Sequence, residues 1–197
     1  PMKEAVLLQP ERFSKKGAAE FHPEISVVVP LYNEAESVNA LIEAVLASLS
    51  AQPRCWELIL VDDGSMDATV SCVSRLISNN QHIVLLELSR NYGQTAAMQA
   101  GIDFAKGSFI VTMDGDLQND PADIPKMIDH LLANNLDLLV GWRKYRRDKL
   151  VSRKIPSWLA NKLIGAVSGV KLHDYGCSLK VYRHEEIKKI KLMGEMH

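Results

Sequence analysis

The stretch Phe109-Ile110-Val111-Thr112-Met113-Asp114-Gly115-Asp116-Leu117-Gln118 constrains this chain more than any other. A β-favouring run that breaks directly into two carboxylates reads as a buried strand whose acids emerge at its carboxyl edge. In open α/β sheets that edge is where ligands bind. Gly115 predicts a sharp turn that lets Asp114 and Asp116 face one point. Two hard oxygen donors this close, with Gln118 as a third, suit Mg²⁺ or Mn²⁺, and such ions commonly also hold substrate phosphates. The competing reading is an acidic turn that caps a helix at Pro121.

The segments around this stretch repeat its logic. Residues 25–30 form a β-branched run ended by Pro30, followed by the turn Leu31-Tyr32-Asn33-Glu34. Val38, Leu41, Ile42, Val45, Leu46 and Leu49 recur at helical spacing over residues 36–49. Residues 57–61 predict a second strand, ending in Asp62-Asp63-Gly64-Ser65, with Ser65 placed to cap the next helix and Asp67 in its first turn. A strand is expected at 83–88 and a helix at 94–106, closed by Gly107 in the left-handed position just past its end. After the acidic stretch come a helix at 123–133 and strands at 136–141 and 178–182. This alternation predicts an α/β fold, a largely parallel sheet with helices on both faces. Residues 1–24 lack any period and read as an irregular or partly helical arm, and residues 25–197 read as one domain.

Composition narrows the functional classes. With 197 residues, 47% of them hydrophobic, the chain can fill one sizeable core. A net charge of −1 provides no global field for nucleic acid. Cys55, Cys72 and Cys177 are odd in number and widely spaced, which argues against a disulfide framework or zinc site and for a reducing compartment. No apolar run approaches the ~20 residues that span a bilayer, so the piece itself reads as soluble and cytosol-facing. Past Gly141, seven Lys and Arg residues fall between 143 and 154, opposed by Asp148 alone. The helix expected at 157–167 carries Trp158, Leu159, Leu163 and Ile164. Together they read as a membrane-surface element, or as a solvated loop beside a helix packed on the core.

Two rival α/β families fail on their motifs, and a third stays a distant alternative. There is no glycine-rich turn after the first strand for a dinucleotide, and no glycine-rich run ending in Lys-Ser or Lys-Thr for a phosphate-cradling loop. A haloacid-dehalogenase-type phosphatase would carry Asp-x-Asp on its first strand, with Thr or Val where this chain has Gln118. Three strand-end motifs do agree with one family: Val28-Val29-Pro30-Leu31-Tyr32-Asn33-Glu34, Val61-Asp62-Asp63-Gly64-Ser65 and Asp114-Gly115-Asp116. In that order, over residues 25–190, the chain resembles the family 2 glycosyltransferases of the GT-A fold. Ser89-Arg90-Asn91-Tyr92-Gly93-Gln94, Asp116-Leu117-Gln118-Asn119-Asp120-Pro121 and Asp174-Tyr175-Gly176-Cys177-Ser178-Leu179-Lys180 narrow the resemblance. They are similar to enzymes that charge a polyprenyl phosphate with a sugar, the dolichyl-phosphate mannose synthase group and its undecaprenyl-phosphate relatives.

The resemblance implies a division of roles. Pro30, Tyr32 and Glu34 would line the nucleoside pocket, and Asp62 would accept a hydrogen bond from the base, with Asp63 beside it. One of those two aspartates is expected to serve mainly as a cap. Asp114, Gly115, Asp116 and Gln118 would meet the diphosphate and its cation, and Arg90 would reach the nucleotide or form a surface ion pair. The donor would be a nucleoside-diphosphate sugar, UDP favoured and GDP possible, and the transfer an inverting displacement. An acceptor phosphate is already ionised and needs cations rather than a base, which points to Arg143 and Arg153. Asp174 is the candidate base or acceptor-orienting group, and the alternative is a turn aspartate beside Gly176. The resemblance further implies action at the cytoplasmic face of a membrane, with a homo-oligomer possible. Measured against those relatives the chain reads as truncated at its carboxyl end. The alternatives are a saccharide hydroxyl as acceptor, or a non-catalytic module that binds nucleotide sugar or membrane.

Overall fold

The computed structural model describes residues 5–7, 22–78, 80–142 and 177–192. The basic run with Arg143 and Arg153, the helix expected at 157–167, and Asp174 lie outside the described residues.

Strand β1 is Ala5–Leu7 and β2 is Ile25–Leu31, followed by helix α1, Val38–Ser50. Next come β3 (Trp56–Asp62), α2 (Thr69–Ile77), β4 (Ile83–Leu88) and α3 (Gln94–Phe104). Strand β5 is Phe109–Thr112, and a 3₁₀ turn at Pro121–Asp123 leads into α4, Ile124–Ala133. The described chain closes with β6 (Leu138–Val140), β7 (Lys180–Arg183) and the short helix α5, His184–Ile187.

The strands join one sheet in the order β1-β4-β3-β2-β5-β7-β6. β2, β3, β4 and β5 run parallel. Every residue of β2 and β3 is buried, which is why both read as unbroken apolar runs rather than alternating ones. Odd-numbered β2 residues Ile25, Val27, Val29 and Leu31 pack with α1, α2 and α4 on one face. Val28, with Ile59, Val61 and Ile110, packs under α3 and α5 on the other. Gly101 brings α3 down onto the sheet, since a Cβ there would lie 2.3 Å from Val28 Cγ1.

Three expectations are corrected, and antiparallel strands extend the parallel centre of the sheet. Ala5–Leu7, inside the arm expected to be irregular, is an edge strand antiparallel to β4. β7 runs antiparallel between β5 and β6, so the sheet is mixed on that side. Ser65 is not a helix cap: α2 begins at Thr69, and Ser65 Oγ accepts instead from Asn33 N at 2.9 Å. Gly107 does not end α3 in the left-handed region; the cap is Ala105 in extended backbone. Gly107 is there for clearance, because a Cβ would come within 2.6 Å of Ser26 N.

Cys55, Cys72 and Cys177 form no disulfide. Among the described residues, no helix is long and apolar enough to cross a membrane.

Candidate active site

The strand order reverses at β2: the chain moves from β2 outward to β3 and β4, then returns to lay β5 on β2's other side. β5 pairs with β2 only as far as Val28↔Thr112, and Met113 N makes the last bond, 3.2 Å to Val28 O. Beyond that point β2 continues to Leu31 beside β3 while the β5 chain diverges. The split opens a cavity of about 330 Å³. Pro30, Tyr32, Glu34, Asp63, Gln94, Asp114, Gly115 and Asp116 are among its lining residues. Pro30 costs no ladder bond on the β5 side because β5 has already left. A crevice at the carboxyl ends of parallel strands, where the order reverses, is the ligand position that this topology favours.

The loops around the cavity are strapped together. Asn33, at φ 55°, accepts from Met66 N with Oδ1 at 2.8 Å. Glu34 N donates to Thr69 Oγ1 at 2.8 Å, and Ala35 N to Asp67 Oδ2 at 3.1 Å. Hydrogen bonding by the Thr69 hydroxyl is the chief cause that holds the Asp67 carboxyl below its ordinary pKa. The Glu34 carboxylate accepts from the Ser37 hydroxyl at the start of α1. Gly64, at φ +70°, lies against the 90–91 backbone, where a Cβ would be 2.5 Å from Arg90 C. That close approach is why glycine stands there.

Asp114 and Asp116 both reach the cavity, as the strand-end reading required. Gly115 does not make the expected sharp turn: the positive φ, 60°, falls on Leu117 beyond both acids, and Gly115 is buried where an added Cβ would lie 3.0 Å from Leu31 Cδ2. Gln118 does not join them. It lines a second cavity of about 640 Å³ with Asn119, Asp120 and His130, and its N–H donates to Asp116 Oδ1 at 3.1 Å. The larger space holds neither carboxylate of the pair, so the smaller one is the candidate site. Among the described residues no three His, Cys, Asp or Glu side chains converge as a metal site. The donor set is two carboxylates, which fits an ion that completes its shell with substrate phosphates and water.

The aspartates after β3 differ from one another. Asp63 lines the cavity but commits both oxygens to main-chain donors, Tyr92 N at 2.7 Å and Gly93 N at 2.9 Å. Asp63 thus anchors the loop that leads into α3, and the expected helix cap is not formed, since neither α2 nor α3 has a side-chain cap. Asp62, 2% exposed, accepts from Ser65 N with Oδ2 at 2.9 Å. Among the described residues its buried Oδ1 has no partner. Glu87, opposite Asp62 in register, has its carboxyl pushed up, first by burial and then by the Asp62 charge. Arg90 is exposed, sits 4.8 Å over the Tyr92 ring and is not among the cavity's lining residues.

Two residues with no role in the strand-end reading support Asp114. Gln94 Nε2 donates to Asp114 Oδ1 at 2.6 Å. Ser178 Oγ, from the segment before β7, accepts from Asp114 N at 3.2 Å and from Asn119 Nδ2 at 2.8 Å. Both stand inside motif strings, yet no spacing in the sequence links either to position 114.

The family model described as Glycosyl transferase family 2 matches residues 26–191. A dodecaprenyl-phosphate galacturonate synthase of Rhizobium johnstonii is 61% identical over 175 residues, 88% of this chain and 52% of the relative. An undecaprenyl-phosphate 4-deoxy-4-formamido-L-arabinose transferase of Pectobacterium carotovorum is 41% identical over 81% of this chain and 48% of its own length. The chain thus spans about half the length of the curated relatives it matches. Among solved structures, a mannosyltransferase of Pyrobaculum calidifontis, in complex with GDP-Man and Mn²⁺, superposes with a TM-score of 0.61 at 23% identity. The match covers 88% of this chain and 48% of that one.

Proposed function

The chain belongs to glycosyl transferase family 2 and has the GT-A fold, and from that premise we propose that it transfers a sugar from a nucleoside diphosphate to a polyprenyl phosphate. The observation that carries the reading is the joint presence of Asp114 and Asp116 on the cavity that opens where β5 leaves β2. Both curated relatives described above act on polyprenyl phosphates, which supports the acceptor class.

The nucleoside lies across the carboxyl end of β2, against Pro30 and Tyr32. The buried and unpaired Asp62 Oδ1 is the acceptor we assign to a base N–H, since an orphaned buried carboxylate oxygen is costly until a donor reaches it. Asp114 and Asp116 face the diphosphate and would hold a divalent cation there. When bound, Mg²⁺ or Mn²⁺ supplies positive charge against the charge that develops on the leaving diphosphate. The acceptor phosphate oxygen forms its bond to the anomeric carbon as the bond from that carbon to the donor phosphate oxygen breaks. The nucleoside diphosphate leaves with the electron pair, and the configuration inverts. No proton need be removed from an ionised phosphate, so cations rather than a base are wanted for the acceptor. Arg143 and Arg153 remain our candidates for them, with Asp174 as an orienting group. A polyprenyl carrier stays in the bilayer, so transfer takes place at the membrane surface, and we assign the cytoplasmic face.

The test is transfer of labelled sugar from UDP- and GDP-sugars to a short polyprenyl phosphate with Mn²⁺. Asp116→Ala should lower the rate by ~100-fold or more. Its melting temperature should barely move, because Asp116 is exposed. Transfer that persists in that variant or in EDTA would sink the cation assignment, and transfer to a saccharide hydroxyl alone would sink the acceptor.

A further inference from the structure

Gln94 opens α3, and its side chain crosses from β4's side of the cavity to the end of β5. It is held on arrival. Asp63 anchors the two preceding amides, Tyr92 N and Gly93 N. Gly93 takes φ 94° and ψ 153°, a region closed to residues with a Cβ, and this sets the direction in which α3 starts. At the other end, Asp114 is tied by its own N–H to Ser178 Oγ. One carboxylate oxygen of Asp114 is thus engaged by the Gln94 amide at 2.6 Å, which restricts rotation about the last side-chain bond and leaves the other oxygen to a cation.

Resting on the function proposed above, we propose that Gln94 is a positioning residue for Asp114: the amide hydrogen bond sets the carboxylate's orientation toward a divalent cation on the nucleoside diphosphate, and Asp63 holds Gln94 in place. The sequence Asp63, Gly93, Gln94, Asp114 then couples the end of β3 to the end of β5 across β2. Partners of this kind behind a metal ligand fix its geometry, and their loss typically lowers metal affinity ~10- to 100-fold. A direct contact between Gln94 and the nucleotide would act with or without metal; an effect through Asp114 requires it.

Calorimetric titration of UDP and of GDP, each in Mn²⁺ and in EDTA, separates these. Gln94→Met keeps the side-chain length and removes the donor, and Gln94 is exposed, so the fold and melting temperature should be retained. The expected result is a nucleotide affinity about 10-fold weaker in Mn²⁺ and unchanged in EDTA. Gln94→Asn, too short to reach, should behave alike. In an Asp114→Ala background Gln94→Met should add no further loss. Unchanged affinity in Mn²⁺, equal losses in Mn²⁺ and EDTA, or additive losses in the double variant would each overturn the assignment. If the unmodified protein binds nucleotide no better in Mn²⁺ than in EDTA, the cation reading itself fails, a result distinct from failure of Gln94 alone.

Discussion

At the scale of single residues, the site is a set of acids that differ by what surrounds them. Asp114 and Asp116 share one strand end and one cavity, while Asp62 and Asp63 share another strand end and divide into an unpaired acceptor and a loop anchor. Glu87 adds a fifth carboxyl close by, with its pKa raised by burial and by Asp62. A raised carboxyl pKa means that the folded state disfavours the ionised form. Its contribution to stability is therefore full below the unfolded pKa and lost as pH rises through the folded one. Glu87→Gln stays neutral, so it should melt at a higher temperature than the parent at pH 7. That gain should shrink as pH falls through the raised Glu87 pKa and vanish below about 4, where the glutamate is protonated in both states. The shift should be small because Glu87 is partly exposed and solvent screens it. A thermal-melting series across pH checks this, and a gain that grows toward acid pH would contradict it. Much of this scale was legible beforehand: paired acids after an apolar run announce a strand-end site. Which carboxylate stays unpaired was not legible, because that depends on main-chain amides of residues 92 and 93 coming from another loop.

At the scale of elements, periodicity placed β2 to β5 and α1 to α4 because burial dictates residue type along each of them. The misreadings came at ends, where a glycine or serine has several uses. Gly107 looked like a helix terminator, yet its role is set by the strand it lies against. Its N–H donates to Ser26 Oγ at 2.8 Å, and that hydroxyl donates to Glu57 Oε1 at 2.6 Å. Glu57 Oε1 also accepts from Lys106 N at 3.1 Å. This buried cluster clasps the end of α3 to β2 and β3. Ser26→Ala would strand both the Gly107 amide and part of the Glu57 carboxylate, and should cost about 1–3 kcal/mol in denaturant unfolding. Ser26 is fully buried and lies at the strand's amino end, opposite the cavity, so nucleotide affinity should be unaffected. A neutral stability change would mean that water replaces the hydroxyl.

At the scale of the whole molecule, the decisive feature is β7, which enters from the far end of the described chain and separates β6 from β5. Val181 is fully buried and pairs with Val111 on one side and Leu139 on the other. Val181→Asp should therefore cost ~3 kcal/mol or more, by placing an unpaired charge in the core. Leu138→Asp, on the half-exposed edge strand β6, should cost less than ~1 kcal/mol. Equal losses in the two variants would show that β7 is not integral to the sheet. The amino-acid sequence by itself determined the fold class, the order of the parallel strands' motifs and the carboxylate pair, because hydrophobic periodicity and strand-end chemistry are local properties. Only the tertiary structure decided that β7 lies antiparallel beside β5, that Gln118 faces another cavity, and that Gln94 and Ser178 brace Asp114. Those outcomes rest on pairings between distant segments, whose geometry is set by how helices and strands pack and not by any spacing along the chain.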